Sequence, residues 1–278
     1  MSDHEDRSRA ARAAAELALV RVVHHYGDRP EFVLLGGLVP ALLCAQSNMP
    51  HAGTTDVDVQ VNLEISSGAV NAARLERALR NAQFTPDANN VWRWRSDAGP
   101  QAVIKFELLA DLDNHPSEAI IRFDGCKDLG AVNLRGTGLA AQDIEIRTLK
   151  AADNGMYRQV QLNVAGLAGF LASKVAAAHS RRKPKDWYDI AFVLLHNDYG
   201  DVGEAVQRVQ HVFGTTVGAL RSAIADLSAN FDGPGAQGTS AYVTQITIDS
   251  PHIDSATAAA DCQLAVQTFC DLLIGSHV

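Results

Sequence analysis

At Gly166 the sequence changes its period, and that change limits the folds open to the chain. Before it, brief apolar or alternating runs sit between Gly, Pro and Asp, the pattern of short strands with a few helices. After it, apolar residues recur at helical spacing. GLAGFLASKVAAAHSRR runs to Pro184, KDWYDIAFVLLHN restarts beyond it, and residues 202–230 and 255–275 continue likewise. A chain of 278 residues can bury two modest cores. The sequence predicts an α/β domain over 1–164, built on a mixed sheet with flanking helices, and a helical C-terminal domain over 165–278.

Within the first part, residues 7–26 form an amphipathic pattern through Leu17, Val20 and Val23, which Asp28 and Pro30 are expected to stop. EFVLLGG follows as a short buried strand entering a Gly36–Gly37 turn, and LVPALLCAQ starts a helix beyond it. TDVDVQVNL alternates, with Val57, Val59 and Val61 on one face and Asp56, Asp58 and Gln60 on the other. Residues 69–83 read as a helix burying Leu75, Ala78, Leu79 and Ala82, and VWRWR as the start of a strand. In QAVIKFELLAD, Ile104, Phe106 and Leu108 oppose Lys105 and Glu107. Further strands are expected at Ala119–Phe123, Gly130–Leu134 and Arg158–Val164, and FDGPGAQGTS is expected to be an exposed loop or lid.

The formal charge of −8 argues against a protein that coats nucleic acid indiscriminately, since phosphate binding needs a positive surface. Local basic patches remain at Arg93–Arg95 and at Arg181, Arg182, Lys183 and Lys185. Cys44, Cys126, Cys262 and Cys270 form no CxxC pair and are expected to be buried thiols. Neither HExxH nor a Cys/His cluster is present, which counts against zinc. No apolar run is long enough to span a membrane, and the start MSDHEDRSR lacks the apolar core of a secretory signal. The expected compartment is the cytoplasm.

Asp56 and Asp58 share one strand face, with Cα atoms about 7 Å apart at about 3.3 Å of rise per residue. Both can reach one ion, and a third carboxylate from a neighbouring strand would complete an oxygen set suited to Mg²⁺. By itself a DxD is a weak signal and reads first as a solvated strand face. The Gly36–Gly37 turn adds weight, because a strand, a glycine turn and a helix start present backbone N–H groups to phosphate. LLGG, a helix, then GTTDVDV resembles the first motif of the nucleotidyltransferase superfamily, whose acids hold metals and whose turn holds the phosphates of a nucleotide. That resemblance implies a nucleotidyltransferase-like fold, metal binding and catalysis by Asp56, Asp58 and Glu107, with Asp111 in reserve, and nucleotide binding by Gly36, Gly37 and Thr55.

The helical part adds a second likeness. Lys174, Ala177, Arg181, Lys185 and Asp186, in KVAAAHSRRKPKD, match the KxxAxxxRxxx(R/K)D signature and resemble the AbiEii-like nucleotidyltransferases, which include the MenT-type toxins. Asp189 follows much as that family carries a further aspartate, whereas His51 stands where many relatives have Arg. Lys174 and Arg181 are about two helical turns apart, so both cations face one way and can serve a triphosphate. Read as residues alone, they are also a solvated helix face, with Asp186 charging the start of the next helix.

The resemblance implies NTP and Mg²⁺ at a cleft between the two domains, Lys174, Arg181, Lys185 and Asp186 joining the nucleotide site, and transfer of NMP to an acceptor hydroxyl with release of pyrophosphate. It implies the toxin of a toxin–antitoxin pair, acting on tRNA ends or another cellular target and opposed by an antitoxin. The alternative from another class is a non-catalytic nucleotide-binding or interaction protein on the same scaffold.

Overall fold

The computed structural model describes residues 8–61, 69–97 and 103–275. The chain forms two compact units, Met1–Val39 with Gly53–Ala165, and Pro40–Ala52 with Gly166–Val278.

The first unit opens with α1 (Arg9–Tyr26), whose first turn is capped by the Ser8 hydroxyl accepting from the Ala11 N–H. Gly27, not Asp28 or Pro30, ends it. At φ +84° this glycine donates its N–H to the carbonyls of Val23 and His24, a left-handed cap that side-chain-bearing residues resist. Strand β1 (Val33–Leu35) runs into a tight 3₁₀ turn at Gly36–Leu38 and then the short helix α2 (Val39–Leu43). Then come β2 (Asp56–Gln60), α3 (Ala69–Asn81), β3 (Thr85–Pro86), β4 (Arg93–Asp97) and β5 (Val103–Ala110). The last strands are β6 (Ile120–Arg122), β7 (Gly130–Asn133), β8 (Ile144–Asp153) and β9 (Met156–Ala165). Helix α3 turns Leu75, Ala78 and Leu79 inward as its periodicity predicts.

Among the described residues these strands make one mixed sheet in the order β3-β4-β5-β2-β1-β9-β8. β5 forks. Its first half pairs with β4 and its last two residues pair with β7, which carries β6 on its far side. Alternation sets the faces of the central strands: Val57, Val59, Ile104, Phe106 and Leu108 are all fully buried. The Phe106 ring meets Phe32 and Phe84 edge-on, each at 5.9 Å between centroids.

Other elements also depart from the sequence expectation. Arg158–Val164 is part of a longer strand, β9, and its partner β8 was not foreseen. The pair is a hairpin turned by Asn154 and Gly155, both at positive φ, the pairing that suits a two-residue turn between twisted strands. A further departure lies in FDGPGAQGTS, whose middle is the exposed loop expected but whose two ends are packed. Phe231 is fully buried, and helix α8 (Gln237–Asp249) begins within the stretch. Gly238 is needed there because an added Cβ would fall 2.4 Å from the Phe231 ring.

The helical unit contains α2 from Pro40 onward, α4 (Leu167–Arg181), α5 (Pro184–His196), α6 (Val202–Phe213), α7 (Arg221–Ala229), α8 and α9 (Ser255–Gly275). A 3₁₀ stretch at Gly214–Leu220 breaks the expected helix at 202–230, with Gly214 at positive φ. Helix α5 is central, burying every residue from Asp186 to Leu194. Cys44, Cys262 and Cys270 are buried as expected, whereas Cys126 is half-buried. Burial pushes the Cys270 thiol up to about 12. Among the described residues no helix is long and apolar enough to cross a membrane.

At the end of α5, the His196 ring packs on Phe192 at 4.7 Å, with Nε2 3.3 Å from the Tyr242 hydroxyl. Burial pulls its pKa from 6.5 to about 4, against the opposing charge of Asp261. The unfolded chain takes up this proton near 6.5 and the folded chain resists to about 4. The contribution of His196 to stability is therefore present above pH 6.5 and is lost as pH falls through that window, by about 2–3 kcal/mol. Denaturant titrations of the wild type and His196→Gln between pH 7.5 and 4.5 are expected to show a shallower acid decline in the variant.

Candidate functional site

The parallel pairing of β2 with β5 brings the predicted acids together. Asp58 stands opposite Glu107 and Asp56 opposite Lys105, while β4 places Arg93 beside Glu107 and Arg95 beside Lys105. Two charged rows cross the polar face, one reading Arg93, Glu107, Asp58 and the other Arg95, Lys105, Asp56. Neighbouring strands are about 5 Å apart, so carboxylates opposite one another can approach one ion. The face is not dry, since the Asp56 and Glu107 side chains keep 21% and 16% of their exposure.

The cations on these rows are engaged with the acids. Arg93 Nε donates to Glu107 Oε1 at 2.6 Å, and Lys105 Nζ to Asp56 Oδ1 at 3.2 Å. Burial raises the Glu107 pKa, Arg93 pulls it down, and Asp56 adds a further push upward. Among the described residues, no three His, Cys, Asp or Glu side chains are gathered closely enough to hold a metal ion as they stand.

The predicted glycines lie against this face. On Gly36, at φ +77°, a Cβ would fall 2.1 Å from Asp58 Oδ2, so the turn backbone touches the carboxylate. On Gly37 a Cβ would meet the Thr54 side chain at 3.0 Å. The Thr54 hydroxyl in turn accepts the Asp56 N–H at 3.0 Å and fixes the start of β2. The Thr55 side chain is buried, and its carbonyl accepts the Lys105 N–H. The donor set, carboxylate oxygens on paired strands beside a bare glycine backbone, suits a hard divalent cation and a phosphate. Asp111, held in reserve, is employed elsewhere. Its Oδ2 accepts the N–H groups of Gly136 and Gly138 at 2.8 and 3.0 Å and caps the following 3₁₀ turn.

The second motif forms a cluster inside the helical unit. Arg182 ends α4 in the left-handed region at φ 49°, Pro184 starts α5, and the chain folds Asp186 and Asp189 back over α4. Lys174 Nζ donates to Asp186 Oδ1 at 3.1 Å and to Asp189 Oδ2 at 2.7 Å. Arg181 closes a two-pronged contact on Asp186, at 2.6 and 2.7 Å. His51 Nε2 lies 3.0 Å from Asp189 Oδ1, with its ring against Tyr188 and Phe192. Lys174, Asp186, Asp189 and His51 are all buried. Burial alone would lower the Lys174 pKa, but Asp189 and Asp186 outweigh it and raise it. Burial likewise pushes Asp186 up, and Lys174 and Arg181 bring it below its usual value.

Lys174 and Arg181 thus meet on one carboxylate, Lys174 in the interior and the Arg181 side chain 43% exposed. Lys185 is half-buried in the first turn of α5. His51, which sequence reasoning left without a role, completes the buried polar cluster through its contact with Asp189. Its only signal was an odd histidine in HAGTT.

Residues 132–253 match the family model described as nucleotidyl transferase AbiEii toxin, type IV TA system. Over that stretch the chain is AbiEii-like. The AbiEii-like region carries the charge cluster from Lys174 to Asp189, whereas Asp56, Asp58, Glu107 and His51 lie outside it. No curated protein matches the sequence.

Removing a single partner from the buried cluster leaves uncompensated charge in the interior. Lys174→Met is expected to destabilise the protein by about 3–5 kcal/mol, read as a lower denaturation midpoint in urea.

Proposed function

We propose that the chain is a cytoplasmic, Mg²⁺-dependent nucleotidyltransferase that moves NMP from an NTP to an acceptor hydroxyl and releases pyrophosphate. The observation that carries this reading is the row in which Asp58 faces Glu107 while the Gly36 backbone lies against Asp58. The match to nucleotidyl transferase toxins over residues 132–253 supports the same chemistry.

Asp56, Asp58 and Glu107 would hold Mg²⁺ as a two-ion site. The ions would neutralise charge on the phosphates and make the acceptor hydroxyl more acidic. Glu107, with its basicity raised by burial, would receive the acceptor proton. The turn at Gly36 and Gly37 brings backbone close to the phosphates without a Cβ, and Thr55 fixes its carbonyl on β5. Within the helical unit, Lys174 and Asp186 orient Arg181, which with Lys185 would offer positive charge to a phosphate. Catalysis is then alignment and charge neutralisation.

As the toxin of a toxin–antitoxin pair, the enzyme would be opposed by a cognate antitoxin. The acceptor we favour is an RNA end such as that of tRNA, for which the half-exposed Arg95 would exchange its contact with Asp87 for a phosphate. A non-catalytic nucleotide-binding protein is the second reading, favoured by the pairing of Asp56 with Lys105 and of Glu107 with Arg93.

Incubation with each α-labelled NTP, Mg²⁺ and total RNA separates the two. Label transfer that falls at least about 100-fold in Asp56→Ala supports the enzyme; NTP binding with no transfer to any acceptor supports the second reading. Gly36→Ala, which forces a Cβ into Asp58 at a strained φ, is expected to lose transfer to a similar degree.

A further inference from the structure

Lys174 and Lys105, each bonded to aspartate, stand in opposite circumstances. Lys174 is 6% exposed and held by two buried carboxylates. Lys105 is 31% exposed and bonds Asp56, itself 21% exposed, at 3.2 Å. A single half-exposed pair of this kind contributes little to stability, on the order of 1 kcal/mol. Yet its position is closely specified. Lys105 faces Asp56 in strand register, one row from Asp58 and Glu107, with Arg95 on its other side bonded to Asp87 at 2.5 Å.

We infer that Lys105 is a charge-exchange residue of the proposed nucleotide site. Its ammonium and a divalent cation compete for the same Asp56 oxygen, and the displaced ammonium then binds a phosphate of the incoming nucleotide. The inference rests on the nucleotidyltransferase reading and names a residue which that reading leaves out.

Electrostatics favours the exchange. Mg²⁺ approaches carboxylate oxygen to about 2.1 Å with two charges, whereas the ammonium stands at 3.2 Å with one. Once Asp56 is bound to the ion, the lysine next to it is a cation without its anion, on a flexible four-carbon stem open to water. A triphosphate bound at the neighbouring carboxylates supplies the new anion. The contact with Lys105 thereby makes metal binding weaker when nucleotide is absent and nucleotide binding stronger when metal is present.

Calorimetric titration with MnCl₂, and with each α,β-methylene NTP in the presence of MgCl₂, tests this on the full chain of wild type, Lys105→Gln, Lys105→Arg and Asp56→Asn. Lys105→Gln is expected to bind Mn²⁺ about tenfold more tightly and nucleotide about tenfold more weakly, opposite shifts of about 1.4 kcal/mol each, with an unchanged denaturation midpoint. Lys105→Arg should restore nucleotide binding in part. A purely structural pair would leave both affinities alone or weaken both, and either result overturns the inference. Tighter Mn²⁺ binding with unaltered nucleotide affinity overturns the hand-over to phosphate. If Mn²⁺ binds the wild type, is lost in Asp56→Asn and is not tightened in Lys105→Gln, this inference fails while the proposed function stands. If Mn²⁺ binds neither the wild type nor Lys105→Gln, both fail.

Discussion

The register of β2 against β5 governs the polar face of the first unit. Side chains alternate along a strand, so a slip of one residue would turn Val57 and Val59 outward and drive Asp56 and Asp58 into the apolar layer. That layer contains Phe106 between two other aromatic rings, and burying carboxylates against it without partners would cost several kcal/mol. The hydrophobic side of the sheet thus fixes where the acids stand. Asp58 opposite Glu107 follows from where Val57 and Phe106 pack. The chemistry on one side is held in place by packing on the other.

Charge is managed differently in the two units. On the sheet, acids and bases lie in rows that keep partial contact with water, so each contact is partly screened. Between α4 and α5, two aspartates, a lysine and an arginine balance to zero formal charge around buried contacts, and the same attraction works at lower dielectric. The signature spacing from Lys174 to Asp186 is the sequence form of that helical hairpin. Two helical turns bring Lys174 and Arg181 to one side, and the break at Arg182 to Pro184 returns Asp186 to both.

What the sequence made legible was periodicity coupled to burial. Strict alternation in β2 and β5 identified the acid face, and the inward set of α3 was readable from its spacing. Strand β8 escaped because it is a half-exposed edge on which Ile144 and Ile146 are outward and Asp153 is buried, so its pattern does not follow hydrophobicity. The Asn154–Gly155 pair was a local signal that went unread. Helix α8 was hidden by the glycine-rich composition of its start, where Gly238 serves a packing contact with Phe231. At the site, spacing placed Lys174 and Arg181 on one helix face but could not say that Lys174 is buried, since that depends on Asp189 and His51 arriving from elsewhere. The partners of Asp56 and Glu107, Lys105 and Arg93, were likewise invisible until strand pairing was known.

The helical unit is discontinuous in sequence, because Pro40–Ala52 belongs to it although the sheet strands of the other unit intervene. His51 and Asp189 are 138 positions apart. During synthesis, this early segment leaves the ribosome long before the helices that will surround it. The nascent chain must therefore carry an unpartnered imidazole and its apolar neighbours through the making of the whole sheet, and the helical interior can close only after translation has passed α5.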